Sequence, residues 1–236
     1  MNKTVYIVDA TRTAIGKHAG ALKSVRPDDM AAVLIRELAE RNFSKNNIPN
    51  TEIDDVILGN ANGAGEENRN VGRMCVLLAG LSVEVPGSTV NRLCGSGMQA
   101  VADAARSISA DEGDCFIAGG VESMTRAPFV IAKSEDAWGR KAEMYDTTLG
   151  WRFTNPKLAK LYHPFSMGET AENVAEKYKI TRERQDEFAY KSQIKAKDAI
   201  SSGKFNDEIT AVEIPLKKET ITFDTDEFPR FDTSIE

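Results

Sequence analysis

Residues 88–100 place the strongest constraint on the fold of this chain, because they predict a strand, an abrupt turn and a helix in direct succession. Residues 89–93 are β-prone and follow a Pro-Gly pair, which commonly separates elements. The residues from Gly95 to Gly97 are small enough for a tight turn. From Met98 onward, apolar residues recur at helical spacing. The segment therefore predicts that Cys94 lies where a strand ends and a helix begins.

This predicted position of Cys94 favours nucleophilic chemistry. Unpaired amide groups at a helix N-terminus stabilise an anion, which favours the thiolate form of a cysteine placed there. The layout is similar to the nucleophile turn of hydrolases, with sulfur in place of a hydroxyl. The alternative is a small buried residue, because free cysteine is among the most buried residue types. That alternative suits Cys75 and Cys115, which both lie in apolar runs.

Residues 90–100 read Val-Asn-Arg-Leu-Cys-Gly-Ser-Gly-Met-Gln-Ala and closely resemble the acyl-enzyme signature of the thiolases, which are acetyl-CoA acyltransferases. Three further stretches, residues 9–13, 118–125 and 167–173, resemble the same family and follow in its order. Several motifs in register are far more specific than one short pattern. The resemblance implies an acyltransferase that passes an acyl group through an acyl-cysteine on Cys94, between 3-ketoacyl-CoA or acetyl-CoA and coenzyme A.

The composition of the chain limits the classes of partner that we expect. The formal charge of −6 and 41% hydrophobic content are ordinary for a globular protein and do not suggest a nucleic-acid surface. The three cysteines lack the close spacing of a disulfide framework or a zinc site. No signal peptide or membrane-spanning run is recognised, so we expect a cytoplasmic protein without a membrane partner. The resemblance implies coenzyme A as a substrate, no metal or further cofactor, and a homo-oligomer.

Up to residue 121, predicted strands alternate with predicted helices, and the first helix opens at Pro27. The strands are predicted at residues 5–8, 56–60, 89–93 and 114–121. This alternation is typical of an α/β layered domain with a mostly parallel sheet flanked by helices. Ligands bind at the strand ends of such sheets, where Cys94 is predicted to lie.

The regular alternation stops after residue 121. Residues 123–164 show no clear period, and a structureless loop of that length is uncommon in a compact domain. Helices are predicted at 169–178 and 182–202, and strands at 208–216 and 220–223. We therefore expect two domains, residues 1–121 and residues 122–236. The resemblance implies that the second is an inserted α+β loop subdomain that covers the coenzyme A site.

Three residues of this second segment are candidates for binding coenzyme A or the acyl group, and all three follow from the resemblance. Ser166 and Met167 match a short motif that contacts substrate or coenzyme A in the family, although many members carry histidine at the position of Ser166. Arg230 matches an arginine near the nucleotide end of coenzyme A. The alternative interpretation of Met167 is a methionine of the core, and that of Arg230 is a solvated arginine on the surface. Residues 144–153 also resemble thiolases of the β-ketoadipyl-CoA type.

The resemblance also implies elements that these 236 residues do not contain. The family carries an Asn-Glu-Ala-Phe motif, a Gly-His-Pro histidine that activates the nucleophile, and a Cys-x-Gly cysteine that acts as an acid and base. His18 and His163 lie in neither setting, although a Cys–His pair with either stays open. We therefore expect the N-terminal part of a thiolase, with the second half of the fold absent and no turnover by this chain alone.

Two alternatives of other classes stay open. One is a non-catalytic module that binds acyl-CoA or docks on a complete thiolase, which the missing motifs favour and the intact Cys94 motif opposes. The other is a ketosynthase-like condensing enzyme, which shares the strand–cysteine–helix unit. The run Gly-Glu-Thr-Ala-Glu-Asn at residues 168–173 favours thiolase over ketosynthase.

Overall fold

The computed structural model describes residues 3–134 and 136–235. The helices within these residues are α1 (Pro27–Asn42), α2 (Val71–Ala79), α3 (Ser96–Ser109), α4 (Pro156–Leu161), α5 (Met167–Tyr178) and α6 (Arg182–Ser201). The strands are β1 (Asp55–Gly59), β2 (Gly87–Val90), β3 (Phe116–Gly120), β4 (Phe129–Ile131), β5 (Met144–Asp146), β6 (Val212–Pro215) and β7 (Thr220–Phe223). No helix in the described ranges is long and apolar enough to span a bilayer.

The first three strands form one parallel sheet in the order β2-β1-β3. Its two faces are covered by different helices, because successive side chains of a strand point to opposite sides. On one side, Val56 and Leu58 pack in a cluster with residues of α1 and α2. On the other side, Ile57 packs with Ala100 and Ala104 of α3. The predicted α/β architecture, a parallel sheet flanked by helices, is thus confirmed.

The predicted strand at residues 5–8 is wrong for this structure. Tyr6, Ile7 and Val8 are 76%, 82% and 86% exposed, and no described strand pairs with them. Their apolar, β-branched character suits a pleated and half-buried surface, but a strand also needs a neighbour for its backbone donors and acceptors. The composition of a segment predicts its preference for strand conformation, but it does not provide a second strand for the segment to pair with.

Tertiary contacts divide the chain into two compact units. The first comprises Met1–Ala127 and Asp207–Glu227, and the second comprises Pro128–Asn206 and Phe228–Glu236. The domain division at residue 121 stays a prediction. It differs from these units in the placement of Asp207–Glu227, which carries the antiparallel hairpin β6–β7. That hairpin belongs to the first unit because its side chains share a buried cluster with Ala14, namely Val212, Ile214 and Phe223.

The second unit contains an antiparallel hairpin and three helices. β4 and β5 pair with Val130 opposite Tyr145. Sequence patterning predicted neither strand, because each is only three residues long and the chain between them lacks a period. The helices α5 and α6 lie where helices were predicted, with their ends shifted by one or two residues.

Candidate active site

Cys94 lies in the turn between β2 and α3, at the edge where the parallel strands end. Its side chain is exposed, whereas Cys75 is buried and Cys115 is half-buried. Burial raises the pKa of the Cys75 thiol to about 12, which suits a core residue and not a nucleophile. Among the three cysteines, Cys94 is therefore the one presented to a reactant.

The residue before Cys94 has an unusual backbone conformation. Leu93 lies in the left-handed region with φ of 49°, and it is 69% exposed. A non-glycine residue in this region costs on the order of 1 kcal/mol. Asn91 stabilises the turn by accepting a hydrogen bond from the Leu93 amide onto Oδ1 at 2.9 Å. The turn is therefore a strained backbone that specific contacts hold in place.

Glycines let the start of α3 lie directly on the sheet. A Cβ on Gly59, at the end of β1, would overlap the backbone of Ser96 and Gly97. A Cβ on Gly120, at the end of β3, would lie 2.9 Å from the Gly59 carbonyl oxygen and 3.4 Å from the Gly97 Cα. Side chains at these positions would push the helix away. The position of the Cys94 turn therefore depends on the ends of two neighbouring strands.

The N-terminus of α3 has no side-chain cap. Its N-cap residue is Gly95, which offers no side-chain acceptor for the first helical amides. In contrast, Asn70, Asn155, Ser166 and Thr181 cap the helices α2, α4, α5 and α6 through their side chains. Uncapped amides and the helix dipole favour negative charge at this end, which lies beside Cys94.

Carboxylate and amide side chains gather at the same edge of the sheet. Glu122, which follows β3, accepts hydrogen bonds from the amides of Ala61 and Asn62 at 2.8 and 3.2 Å. Asn60, which follows β1, donates from Nδ2 to the Val121 carbonyl at 2.8 Å. Sequence reasoning did not single these residues out, although polar residues directly after parallel strands are a signal for such an edge.

Glu67 lies in the loop before α2 and is 3% exposed. Burial raises the pKa of its carboxyl, and the nearby carboxylate of Glu122 raises it further. The Gly65 amide donates to Glu67 Oε2 at 3.2 Å, which opposes part of that shift. Sequence reasoning missed this residue, because an acidic loop residue is ordinarily exposed.

Ser166 and Met167 lie together at the start of α5 in the second unit. Ser166 Oγ accepts a hydrogen bond from the Glu169 amide at 3.2 Å, and Glu169 Oε2 accepts one from the Ser166 amide at 2.7 Å. This reciprocal capping box lowers the pKa of the Glu169 carboxyl. Met167 is 78% exposed, so it is not a core methionine.

Arg230 belongs to the second unit and is exposed. Its backbone amide donates to Gln193 Oε1 of α6 at 2.7 Å, which fixes the backbone and leaves the guanidinium outside that contact. Residues 128–206 and 228–236 together contain 15 Lys and Arg against 13 Asp and Glu, although the chain as a whole is acidic. The second unit therefore provides a mildly basic setting for an anionic ligand.

The predicted site residues thus fall into two groups. Cys94 belongs to the first unit, and Ser166, Met167 and Arg230 belong to the second. His163 also belongs to the second unit, where its ring lies 4.5 Å from that of Phe165, centroid to centroid. His18 lines a cavity of the first unit whose lining does not include Cys94. Within the described ranges, no group of three or more His, Cys, Asp or Glu is arranged to hold a metal ion.

Comparisons with known proteins agree on one family. The family model described as "Thiolase, N-terminal domain" matches residues 5–236. The chain is 56% identical over 235 residues to the beta-ketoadipyl-CoA thiolase of Acinetobacter baylyi, covering 99% of this chain and 58% of that protein. It is 54% identical over 238 residues to the 3-oxoadipyl-CoA/3-oxo-5,6-dehydrosuberyl-CoA thiolase of Escherichia coli, with the same coverage of 99% and 58%.

A solved structure gives the same result. The acetyl-CoA acetyltransferase of Bacillus anthracis superimposes with a TM-score of 0.83 at 37% sequence identity. The match covers 97% of this chain and 56% of that chain. The chain therefore spans somewhat more than half the length of the relatives that it matches.

Proposed function

Because the chain belongs to the thiolase family, we propose that it carries the acyl-accepting nucleophile of a coenzyme A-dependent acyltransferase. The observation that carries the proposal is Cys94, an exposed thiol on a strained turn beside an uncapped helix N-terminus. An exposed thiol at such a terminus is placed to attack a thioester carbonyl.

The proposed step balances without a cofactor. The Cys94 thiolate attacks the carbonyl carbon of an acyl-CoA or 3-ketoacyl-CoA. A bond to Sγ forms, the carbonyl oxygen becomes an oxyanion, and collapse expels the thiolate of coenzyme A or the carbanion of the departing acetyl-CoA. The Cys94 amide lies beside the start of α3, the helix end that stabilises negative charge. The thiolate of coenzyme A then attacks the acyl-cysteine carbonyl, a new thioester bond forms, and the Cys94 thiolate leaves.

We propose that Ser166, Met167 and Arg230 contribute to the coenzyme A site from the second unit. Met167 supports this role because a 78% exposed methionine offers apolar area to a pantetheine chain. Arg230 offers a guanidinium of the kind that binds phosphate. Ser166 contributes by ordering the start of α5, because its Oγ accepts the Glu169 amide and its hydroxyl hydrogen-bonds the Glu169 carboxyl.

For the acyl group, we propose a 3-ketoacyl chain that carries a free carboxylate at its far end, as in β-ketoadipyl-CoA. The support is the greater similarity of the chain to relatives named for 3-oxoadipyl and β-ketoadipyl thioesters than to the named acetyl-CoA acetyltransferase. Residues 144–153, which form β5 and the chain after it, also resemble that type.

The nucleophile is tested by intact-mass spectrometry of the 236-residue chain before and after incubation with acetyl-CoA. We expect one added acetyl group, and none in Cys94→Ala. Cys115→Ala is the matched control, because it removes a half-buried thiol that should not carry the label and leaves Cys94 in place. Acetylation that persists in Cys94→Ala would contradict the proposal.

A non-catalytic module that binds coenzyme A is the second candidate, and the exposed side chains of Met167 and Arg230 favour it. It predicts binding of coenzyme A, measured by calorimetry, without any acetyl adduct on Cys94. The two candidates therefore give opposite results in the same mass measurement.

A further inference from the structure

We propose that Ser96 is a positioning residue, whose hydroxyl holds Leu93 in the left-handed conformation and thereby aims Cys94; the inference rests on the proposed role of Cys94 as nucleophile. Ser96 is the first residue of α3 and is 5% exposed. Its hydroxyl points back into the turn and makes no cap for the helix.

The hydroxyl joins both residues that precede Cys94. Ser96 Oγ donates to the Leu93 carbonyl at 2.6 Å and accepts a hydrogen bond from the Arg92 amide at 2.8 Å. The Ser96 amide also donates to the Leu93 carbonyl at 3.1 Å. One buried side chain thus contacts the Asn91–Arg92 peptide and the Leu93–Cys94 peptide, and the second contact sets the direction in which the chain enters Cys94.

This arrangement explains how a leucine tolerates a positive φ. Leucine offers no local side-chain hydrogen bond of the kind that lets asparagine adopt the left-handed region. Leu93 is 69% exposed, so core packing does not hold it there either. The contacts from Ser96, with that from Asn91 Oδ1 to the Leu93 amide, supply the restraint.

Without the hydroxyl, we expect Leu93 to relax toward negative φ. The peptide that links Leu93 to Cys94 would then rotate, which moves the thiolate and the Cys94 amide away from a common carbonyl. Acyl transfer needs the thiolate and the amide directed at the same carbonyl group, because the amide must hydrogen-bond the developing oxyanion. Simple alkylation needs only an exposed thiolate, so the two reactions should respond differently.

The test compares two reagents on each variant of the 236-residue chain. With 4-nitrophenyl acetate, Sγ bonds to the acetyl carbon and 4-nitrophenolate leaves. With iodoacetamide, Sγ bonds to the methylene carbon and iodide leaves. The ratio of the two rates reports the alignment of Cys94 and is independent of coenzyme A binding. We expect Ser96→Ala to lower this ratio by about 10- to 100-fold, the scale of a misplacement near 1 Å.

Thr89→Val is the matched control. Thr89 Oγ1 also makes two hydrogen bonds, accepting from the Gly72 amide at 3.0 Å and pairing with Asn70 Oδ1 at 2.9 Å. Both partners lie at the start of α2, outside the Cys94 turn. A merely structural loss should therefore lower thermal stability in Thr89→Val without changing the ratio. A ratio in Ser96→Ala within twofold of the unmodified chain would overturn the proposal.

Leu93→Val tests the role of the left-handed residue even if Ser96→Ala does not fold, and Leu93→Asn tests rescue where Ser96→Ala does fold. Leu93→Val should lower the ratio, because a β-branched residue strongly disfavours positive φ. Leu93→Asn, introduced into Ser96→Ala, should restore the ratio at least threefold, because asparagine tolerates this conformation. An unchanged ratio in Leu93→Val would overturn the role of the left-handed residue.

The proposed function can be contradicted independently of the proposed role of Ser96. If the unmodified chain takes no acetyl group from acetyl-CoA, the acyltransferase proposal fails. The ratio of the 4-nitrophenyl acetate and iodoacetamide rates still decides the role of Ser96.

Discussion

At the scale of single residues, a network of charged contacts around Arg12 ties the N-terminal loop to the end of the β6–β7 hairpin. Arg12 donates to Asp226 from Nη1 and Nη2 at 2.7 and 3.0 Å, and from Nε to Glu208 at 2.6 Å. The Ile15 amide donates to the same Asp226 carboxylate at 2.7 Å. These bonds lower the pKa of Asp226, mainly through the Arg12 guanidinium.

The lowered pKa predicts a pH-dependent stability. A carboxyl whose pKa is lower in the folded state stabilises the fold above its unfolded pKa of about 3.9, and this contribution is lost as pH falls through the folded value. We expect Asp226→Asn to lower the free energy of unfolding by about 2 kcal/mol at pH 7, the scale of hydrogen bonds to charged groups. Urea unfolding at pH 7, 5 and 3 measures it.

Asp224→Asn is the matched control, because Asp224 is exposed and pairs only locally, with the Thr225 hydroxyl at 3.0 Å. We expect its stability to stay close to that of the unmodified chain. The difference between the unmodified chain and Asp226→Asn should shrink as pH falls below about 4. An Asp226→Asn difference that persists undiminished at pH 3 would count against the ion pair as its source.

At the scale of elements, the contact between α3 and the parallel sheet sets the position of the reactive turn. Two sheet glycines, Gly59 and Gly120, accept the helix start at Gly97 without intervening side chains. The helix then covers one face of the sheet through Ala100 and Ala104. Small residues along this face keep α3 close to the sheet. The packing of the whole helix therefore determines the position of the turn.

Gly59→Ala should therefore disturb the turn from the opposite side of the contact. The added Cβ would overlap the backbone of Ser96 and Gly97, which cannot move as a flexible side chain would. We expect a loss of about 2–3 kcal/mol in the free energy of unfolding, as for an overpacked core. We also expect slower Cys94 acetylation, and chemical denaturation with mass spectrometry measures both effects.

Gly119→Ala provides the comparison on the neighbouring strand. A Cβ on Gly119 would meet Leu58 Cδ2 at 3.9 Å, an ordinary contact. This variant should keep both stability and acetylation close to those of the unmodified chain. Equal losses in Gly59→Ala and Gly119→Ala would show that the glycines matter as strand residues and not through the helix contact.

The start of α5 shows that one residue can satisfy an element and remain a site candidate. Ser166 takes part in a capping box with Glu169, which accounts for the choice of serine without reference to a ligand. Its hydroxyl also hydrogen-bonds the Glu169 carboxyl, which helps to lower the pKa of that carboxyl. An effect of Ser166 substitution on coenzyme A affinity must therefore be separated from an effect on the helix.

At the scale of the whole molecule, the two units place the nucleophile and the proposed coenzyme A residues in different bodies of chain. The 236 residues contain only two histidines, and neither lies in a Gly-His-Pro motif. They also contain no Cys-x-Gly motif. Acylation of Cys94 by acetyl-CoA and return of the acyl group to coenzyme A use the same nucleophile and turn, whereas carbon–carbon cleavage requires further acid and base groups for the departing carbanion.

We therefore expect the chain by itself to form at most one acyl-cysteine per molecule, without repeated turnover. The measurement follows free thiol release from acetyl-CoA over time, with Cys94→Ala as the blank. A release that stops near one equivalent agrees with the prediction. Sustained thiolysis of a 3-ketoacyl-CoA by the pure chain would contradict it, and would require a base within these residues, for which His18 and His163 are the histidine candidates.

Much of the architecture was predictable from the sequence, because it depends on local patterns. Apolar runs separated by helical periodicity predicted the parallel sheet and its flanking helices. The Pro-Gly pair, the small residues after Cys94 and the helical spacing from Met98 predicted the strand–turn–helix unit. The long motifs around Cys94 predicted the family. Each of these patterns lies within a short segment, so it can be recognised without knowing which other segments pack against it.

Tertiary structure decided the features that depend on residues distant in sequence. Residues 5–8 have strand composition, yet they pair with no described strand because pairing requires a partner from elsewhere in the chain. Asp207–Glu227 joins the first unit because its hairpin buries side chains against Ala14. Glu67 is buried by the fold around it. The sequence by itself determined which segments can form strands, helices and a reactive turn; contacts between distant segments decided pairing and burial, because the free energy of both depends on the partner as much as on the segment.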